Sequence, residues 1–113
     1  MPGLRSRRKG ANHENAVVSW LRSRGRPHVE RRIAGTNSDR GDLTGWPGVV
    51  IEAKNCKTFD LAGWVDQLEN EIAETGADTG AVIVKRRGTS HIGQCYAVMT
   101  FNRWEALMTE AGR

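Results

Sequence analysis

The stretch GDLTGWPGVVIEAKN at 41–55 restricts the possible folds more than any other. Val49-Val50-Ile51 is a β-branched run that belongs in a strand entering a core. The residues Gly45-Trp46-Pro47-Gly48 before it form a turn by composition, and Gly41–Thr44 before that reads as a short strand. Side chains alternate along a strand, so Val49, Ile51 and Ala53 share one face, and Val50, Glu52 and Lys54 share the other. The second face begins apolar and ends with an acid and an amine. That is the pattern of a sheet that opens into a cleft. A charge buried alone is strongly unfavourable, so Glu52 needs a partner there.

The rest of the chain supplies elements to pack on this hairpin. Asn12 predicts a helix cap, with a helix to about Arg24 that Gly25 and Pro27 terminate. Val17, Val18, Trp20 and Leu21 form its apolar stripe, and Glu14 falls on the same inward arc. His28–Ala34 predicts a first strand, and Gly35–Arg40 a polar loop. After the hairpin, Thr58 or Asp60 caps a second helix. Leu61, Trp64, Val65, Leu68 and Ile72 keep helical spacing along it, and Gly76 closes it. Gly80–Lys85 predicts a buried strand, Arg86–Gly93 a basic loop and Gln94–Thr100 a fifth strand. Phe101, Trp104, Leu107 and Met108 mark a short final helix. The element order is α-β-β-β-α-β-β-α, a mixed sheet with helices packed on it. Residues 1–10 lack periodicity and predict a flexible basic arm. Residues 11–113 predict a single domain.

Charge is uneven along the 113 residues. Positions 1–32 carry nine Lys or Arg against Glu14 and Glu30, whereas the remainder carries eight against eleven acids. A basic N-terminal third on a more acidic body suggests a surface for a polyanion such as DNA. Cys56 and Cys95 are too few for a disulfide framework or a zinc pattern, so both are expected as reduced thiols in a cytosolic protein. No apolar run approaches the ~20 residues that span a bilayer, and no signal-peptide core follows Met1.

In a tight hairpin, Asp42 and Glu52 can lie near each other across the ladder. Two close carboxylates repel unless a proton or a cation lies between them. Hard oxygen donors with room for water suit Mg2+ or Mn2+. Such an ion polarises a phosphoryl oxygen and acidifies a bound water. Lys54 falls beside the same point, where it can steer the water or offset charge on the phosphate. The competing account is an ordinary Glu52–Lys54 ion pair at a strand end, with Asp42 a turn residue. The spacing Asp-x9-Glu-x-Lys is short, and the strand-turn-strand context gives it its weight.

The arrangement resembles the PD-(D/E)xK nuclease superfamily, and within it the archaeal-type and phage Holliday junction resolvases. Lys9-Gly10 and Glu14, Arg32 to Gly35, Asp42, and Glu52-Ala53-Lys54 fall in that family's order, over about residues 8–105. The resemblance implies a restriction-endonuclease-like α/β fold with a mixed five-stranded sheet flanked by helices. It also implies a homodimeric, metal-dependent endonuclease of branched DNA, at work in the cytoplasm of a bacterium or a phage-infected cell. By position, Asp42, Glu52 and the carbonyl of Ala53 would bind the metal, Glu14 would be an additional acid facing it, and Lys54 the catalytic lysine. Gly41 stands where the family often has proline. In the loop AGTNSDRG, either Thr36 or Ser38 takes the place of the family's catalytic serine.

Other residues carry weaker signals. Gln67 lies on the second helix about 60° off the apolar stripe, where related nucleases often place a glutamine near the metal. Glu71, beside it, reads first as a solvated flank. Asp39 suits an Asx turn, His13 a cap or surface position, and His91 an exposed loop. Arg5, Arg7, Arg8, Lys9, Arg31, Arg32, Lys85, Arg86 and Arg87 are candidate phosphate contacts, which position DNA without reading bases. Trp20, Trp64 and Trp104 fit helix stripes as core or subunit contacts, whereas Trp46 in the turn is expected to be exposed.

Overall fold

Strand β3 (Val49–Lys54) forms the middle of the sheet in the computed structural model. The structure describes residues 2–32 and 42–113, with the backbone alone at 2–7 and at Asp42. On one side β3 pairs antiparallel with β2 (Asp42–Thr44), which pairs antiparallel with β1 (Glu30–Arg31). On the other side it pairs in parallel with β4 (Thr79–Val84), and β5 (Tyr96–Val98) closes that edge antiparallel. The order is β1-β2-β3-β4-β5. Helix α2 (Leu61–Thr75) provides the crossover that a parallel pair requires. Helices α1 (Pro2–Ser23) and α3 (Phe101–Glu110) begin and end the chain. The result is a mixed α/β structure with a five-stranded mixed sheet flanked by helices.

The alternation along β3 divides the core in two. Ile51 and Ala53 pack with Val17, Val18 and Leu21 of α1, together with Val29 and Leu43. Val50 packs on the other face with Trp64, Leu68 and Ile72 of α2, and with Val82 and Val84 of β4. Leu68 and Val82 are fully buried, so the α2 face is the tighter seam. Asp60 caps α2 by accepting from the Gly63 amide at 3.1 Å. Gly76 ends it in the left-handed region (φ 70°), donating to the Ile72 carbonyl.

The turn depends on two glycines in the left-handed region, Gly45 and Gly48 (φ 77°). Gly45 has φ 95°, and a Cβ there would stand 1.9 Å from the His28 carbonyl oxygen. Trp46 is half-buried against the α1-side core, with the Arg26 guanidinium 3.8 Å from its ring centre, and is not the exposed residue its turn position predicts.

Several boundaries differ from the sequence reading. Helix α1 starts at Pro2, so residues 2–10 are helical in backbone and Asn12 is an interior residue, not a cap. Proline suits the first helical position, and the Arg and Lys residues that follow are good helix formers. Strand β1 is two residues long, and the predicted Ile33-Ala34 end lies outside the described residues. Residues 92–94 form a 3-10 turn, which shortens β5 to Tyr96–Val98. Among the described residues no helix is long and apolar enough to cross a membrane.

Candidate active site

The hairpin register sets Asp42 directly opposite Glu52. Directly opposed positions of an antiparallel pair share a face, with Cβ atoms about 4.5–5.5 Å apart. The row continues through Val82 on β4 to Val98 on β5. Glu52 is fully buried at 0% exposure, an acid set among valines. Among the described residues the β2–β3 ladder ends at the Asp42–Glu52 pair, so Ala53 lies one residue beyond it. Lys54 is half-buried on the same face as Glu52, and its carbonyl accepts from the Lys85 amide at 2.9 Å.

Glu71 joins this face from α2. It is 4% exposed, and its Oε1 lies 3.5 Å from Nη1 of Arg32. The sequence reading placed it on a solvated flank. Seven residues separate it from Trp64, two full turns, so it falls on the buried stripe. That spacing was the available signal. Arg32, a candidate phosphate contact, is engaged by this inward carboxylate. Gln67, one turn earlier on α2, is half-buried.

Arg31 and Arg32 diverge to opposite faces of the sheet. Arg31 pairs with Leu43 on the α1 side, and its Nε lies 3.6 Å from Oε1 of Glu14. Glu14 does face inward, as its position on the stripe predicts, with a side chain 12% exposed. It belongs to the helix that covers the Ile51–Ala53 face, opposite the face of Glu52.

His13 is buried, contrary to the surface position predicted for it. Its Nε2 lies 3.1 Å from the Ile83 carbonyl oxygen of β4, joining α1 to the sheet. Burial pushes its pKa below the usual imidazole value. The bond to Ile83 opposes that shift, and nearby Lys85 adds to it. Asn55 donates to the Lys9 carbonyl at 3.4 Å, a second link between α1 and the end of β3.

The remaining basic candidates lie at the carboxyl ends of the parallel strands and beyond. Lys85 donates from Nζ to the Thr89 carbonyl at 2.6 Å, which ties down its loop. Arg86 and Arg87 are exposed, and the Arg86 guanidinium stands 5.9 Å from the Tyr96 ring centre. Arg8 and His91 are exposed, and Lys9 is half-buried. The side chains of Arg5 and Arg7, and all of Thr36, Ser38 and Asp39, lie outside the described residues.

No family model matches the chain, and neither a search of curated proteins nor one of solved structures finds a match. Among the described residues no three His, Cys, Asp or Glu side chains converge as a metal-binding group, and the Asp42 side chain lies outside them. The donor chemistry nonetheless fits a hard divalent ion. Two carboxylic residues, Asp42 and Glu52, occupy opposed register positions, and Ala53 follows at the ladder end.

Proposed function

We propose that this protein is a metal-dependent endonuclease acting on branched DNA, a Holliday junction resolvase in activity. The observation that carries the proposal is the Asp42–Glu52 register pair with Lys54 two residues further on the same face. A fully buried glutamate opposite a second acid is a placement more typical of functional sites than of a packing core. The order of motifs along the chain supports the same reading.

Asp42, Glu52 and the Ala53 carbonyl would hold Mg2+ or Mn2+. When bound, the ion would polarise the scissile phosphate and acidify the attacking water. Lys54 would orient that water and offset charge on the phosphate. The hydroxyl of Thr36 or Ser38 and the amide of Gln67 would contact the substrate from either side of the strand. Arg32 and Glu71 would hold β1 against α2, and Glu14 would hold it against α1 through Arg31. Arg8, Lys9, Arg86 and Arg87, with Arg5 and Arg7, would bind flanking phosphates. A four-way junction is two-fold symmetric and paired nicks need two active sites, which a two-fold homodimer provides.

A nicking assay with Mg2+ on a four-way junction, a Y-fork and plain duplex tests this. Paired junction cuts are expected, with Glu52→Gln lowering the rate at least about 100-fold, the scale of losing one charge-stabilising group. Equal cutting of duplex and junction would instead indicate a restriction-like or repair nuclease on the same scaffold. Tight binding without cleavage in Mg2+ or Mn2+ would indicate a non-catalytic DNA-binding protein.

A further inference from the structure

Tyr96 is the only tyrosine in the sequence, and it is 47% exposed on the edge strand β5. The register fixes its neighbours. Lys54 on β3 pairs with Val84 on β4, and Val84 pairs with Tyr96. Directly paired positions share a face of the sheet, so Lys54, Val84 and Tyr96 form one row. It lies next to the row Glu52–Val82–Val98 of the candidate site, on the same face. Val84 is 1% exposed in the core that contains Trp64 and Leu68 of α2, and Val98 packs against that core. Helix α2 therefore covers the middle of the row and leaves its ends accessible, Lys54 half-buried and Tyr96 open.

An aromatic ring left in water on an edge strand forgoes the packing that favours such rings in sheets. The surroundings of this one are basic. From residue 79 to residue 104 the chain carries Lys85, Arg86, Arg87 and Arg103 and no Asp or Glu. Arg86 and Arg87 are exposed, and the Arg86 guanidinium, 5.9 Å from the Tyr96 ring centre, is within reach of a cation–π contact. A π face for a base and a cation for its phosphate are the two components of single-strand binding sites. A guanidinium has five donors, so Arg86 can lie beside the ring and still meet a phosphate.

We propose that Tyr96 receives the face of an unpaired DNA base, with Arg86 on the phosphate beside it. Neighbouring strands lie about 4.7–4.9 Å apart, so Tyr96 is roughly 10 Å from Lys54 along the row. That distance spans about three nucleotides at a rise of ~3.4 Å each. A strand whose phosphate reaches the Glu52–Lys54 corner can thus set a base a few nucleotides away on the ring. Bases within a duplex are already stacked on both sides, so only a base freed at a branch, flap or frayed end can take this place. The selection is for unpaired nucleotides and not for sequence, because every base has a π face. The position beside a cleavage site rests on the nuclease reading, whereas stacking itself needs neither metal nor cleavage.

Titration of the full chain, in EDTA, against a short single strand carrying 2-aminopurine and against a blunt duplex tests the proposal, because a stacked base changes its emission. The unmodified protein and Tyr96→Phe are expected to bind the single strand alike and to quench the emission, since the ring and not the hydroxyl is used. Tyr96→Ala is expected to weaken single-strand binding at least about fivefold, the low end for one lost base–aromatic stack, and to leave duplex binding and far-UV circular dichroism unchanged. Phe101→Ala removes a ring 78% exposed on α3, which is anchored by Arg103 to the Asp78 carbonyl at the other end of β4, and is expected to change neither affinity. Ultraviolet cross-linking of the unmodified protein to a single strand containing iododeoxyuridine needs no variant, and its adduct is expected on Tyr96. Single-strand affinity that Tyr96→Ala leaves intact would overturn the proposal. So would an equal loss on duplex, no binding of the single strand by the unmodified protein, or adducts on other residues alone. Mg2+-dependent nicking by the unmodified protein scores the nuclease reading separately. Nicking without a Tyr96 effect on single-strand binding removes only the base site, and a Tyr96-dependent stack without nicking removes only the nuclease reading.

Discussion

Glu52 and His13 are both buried polar residues, and they have different consequences. Glu52 stands opposite Asp42, and a divalent ion held there, as the proposed function requires, would stabilise the fold by mass action. At ten times its dissociation constant, a ligand specific to the folded state adds about 1.4 kcal/mol, roughly 5–10 °C in a domain of this size. Thermal melts should therefore rise with Mg2+ in the native protein and stay flat in Glu52→Gln, whatever the DNA substrate. His13 behaves as a folded-state imidazole kept neutral by burial. The unfolded chain binds its proton more readily, so stability is complete above about pH 6.5 and falls as pH drops from there through the lower folded value. Urea unfolding at pH 8 and pH 5 should show this loss, and His13→Gln should remove the part that His13 contributes. The Asp42–Glu52–Lys54 arrangement was legible because strand alternation is a local rule. His13 was not, because its partner, the Ile83 carbonyl, is seventy positions away. Glu71 was legible in principle from its spacing to Trp64, but its charge argued for the surface.

Among the elements, α2 is the one whose packing decides stability. Leu68 is fully buried between Trp64, Ile72 and the sheet, so Leu68→Ala should cost about 3 kcal/mol, measured by urea unfolding. By contrast the Arg103–Glu69 pair is partly exposed, and Arg103→Ala should cost less than about 1 kcal/mol while loosening α3, seen as faster amide exchange in 101–110. The predicted β3 matched in both ends and α2 closed at Gly76 as expected, because alternation, helical spacing and capping all lie within a few residues, while the structure selects Asp60 over Thr58 as its N-cap. The start of α1 did not follow, because a basic run without apolar periodicity carries helix propensity but no stripe. Trp20 and Trp104 fit their stripes yet remain substantially exposed, since a stripe shows which side seeks cover and not whether the same chain supplies it.

For the whole molecule, the order of elements, the mixed sheet and the β2–β3 hairpin followed from the sequence, whereas the parallel pairing of β3 with β4 required the structure. Charge acts at this level too. On the proposed function the basic residues would contact DNA through phosphate, so binding should weaken linearly in the logarithm of salt concentration. Replacing Arg86 and Arg87 with glutamine should flatten that slope by about one to two. Cleavage by bound complexes should persist, as filter binding and single-turnover assays can separate. The glycine turn at 45–48 has a larger consequence. Sliding β2–β3 by one position would exchange the two faces of the ribbon and drive Glu52 and Lys54 toward Val17 and Leu21. A miswound hairpin would thus be rejected by its own charges, so the residues suited to chemistry would also proofread the fold that holds them.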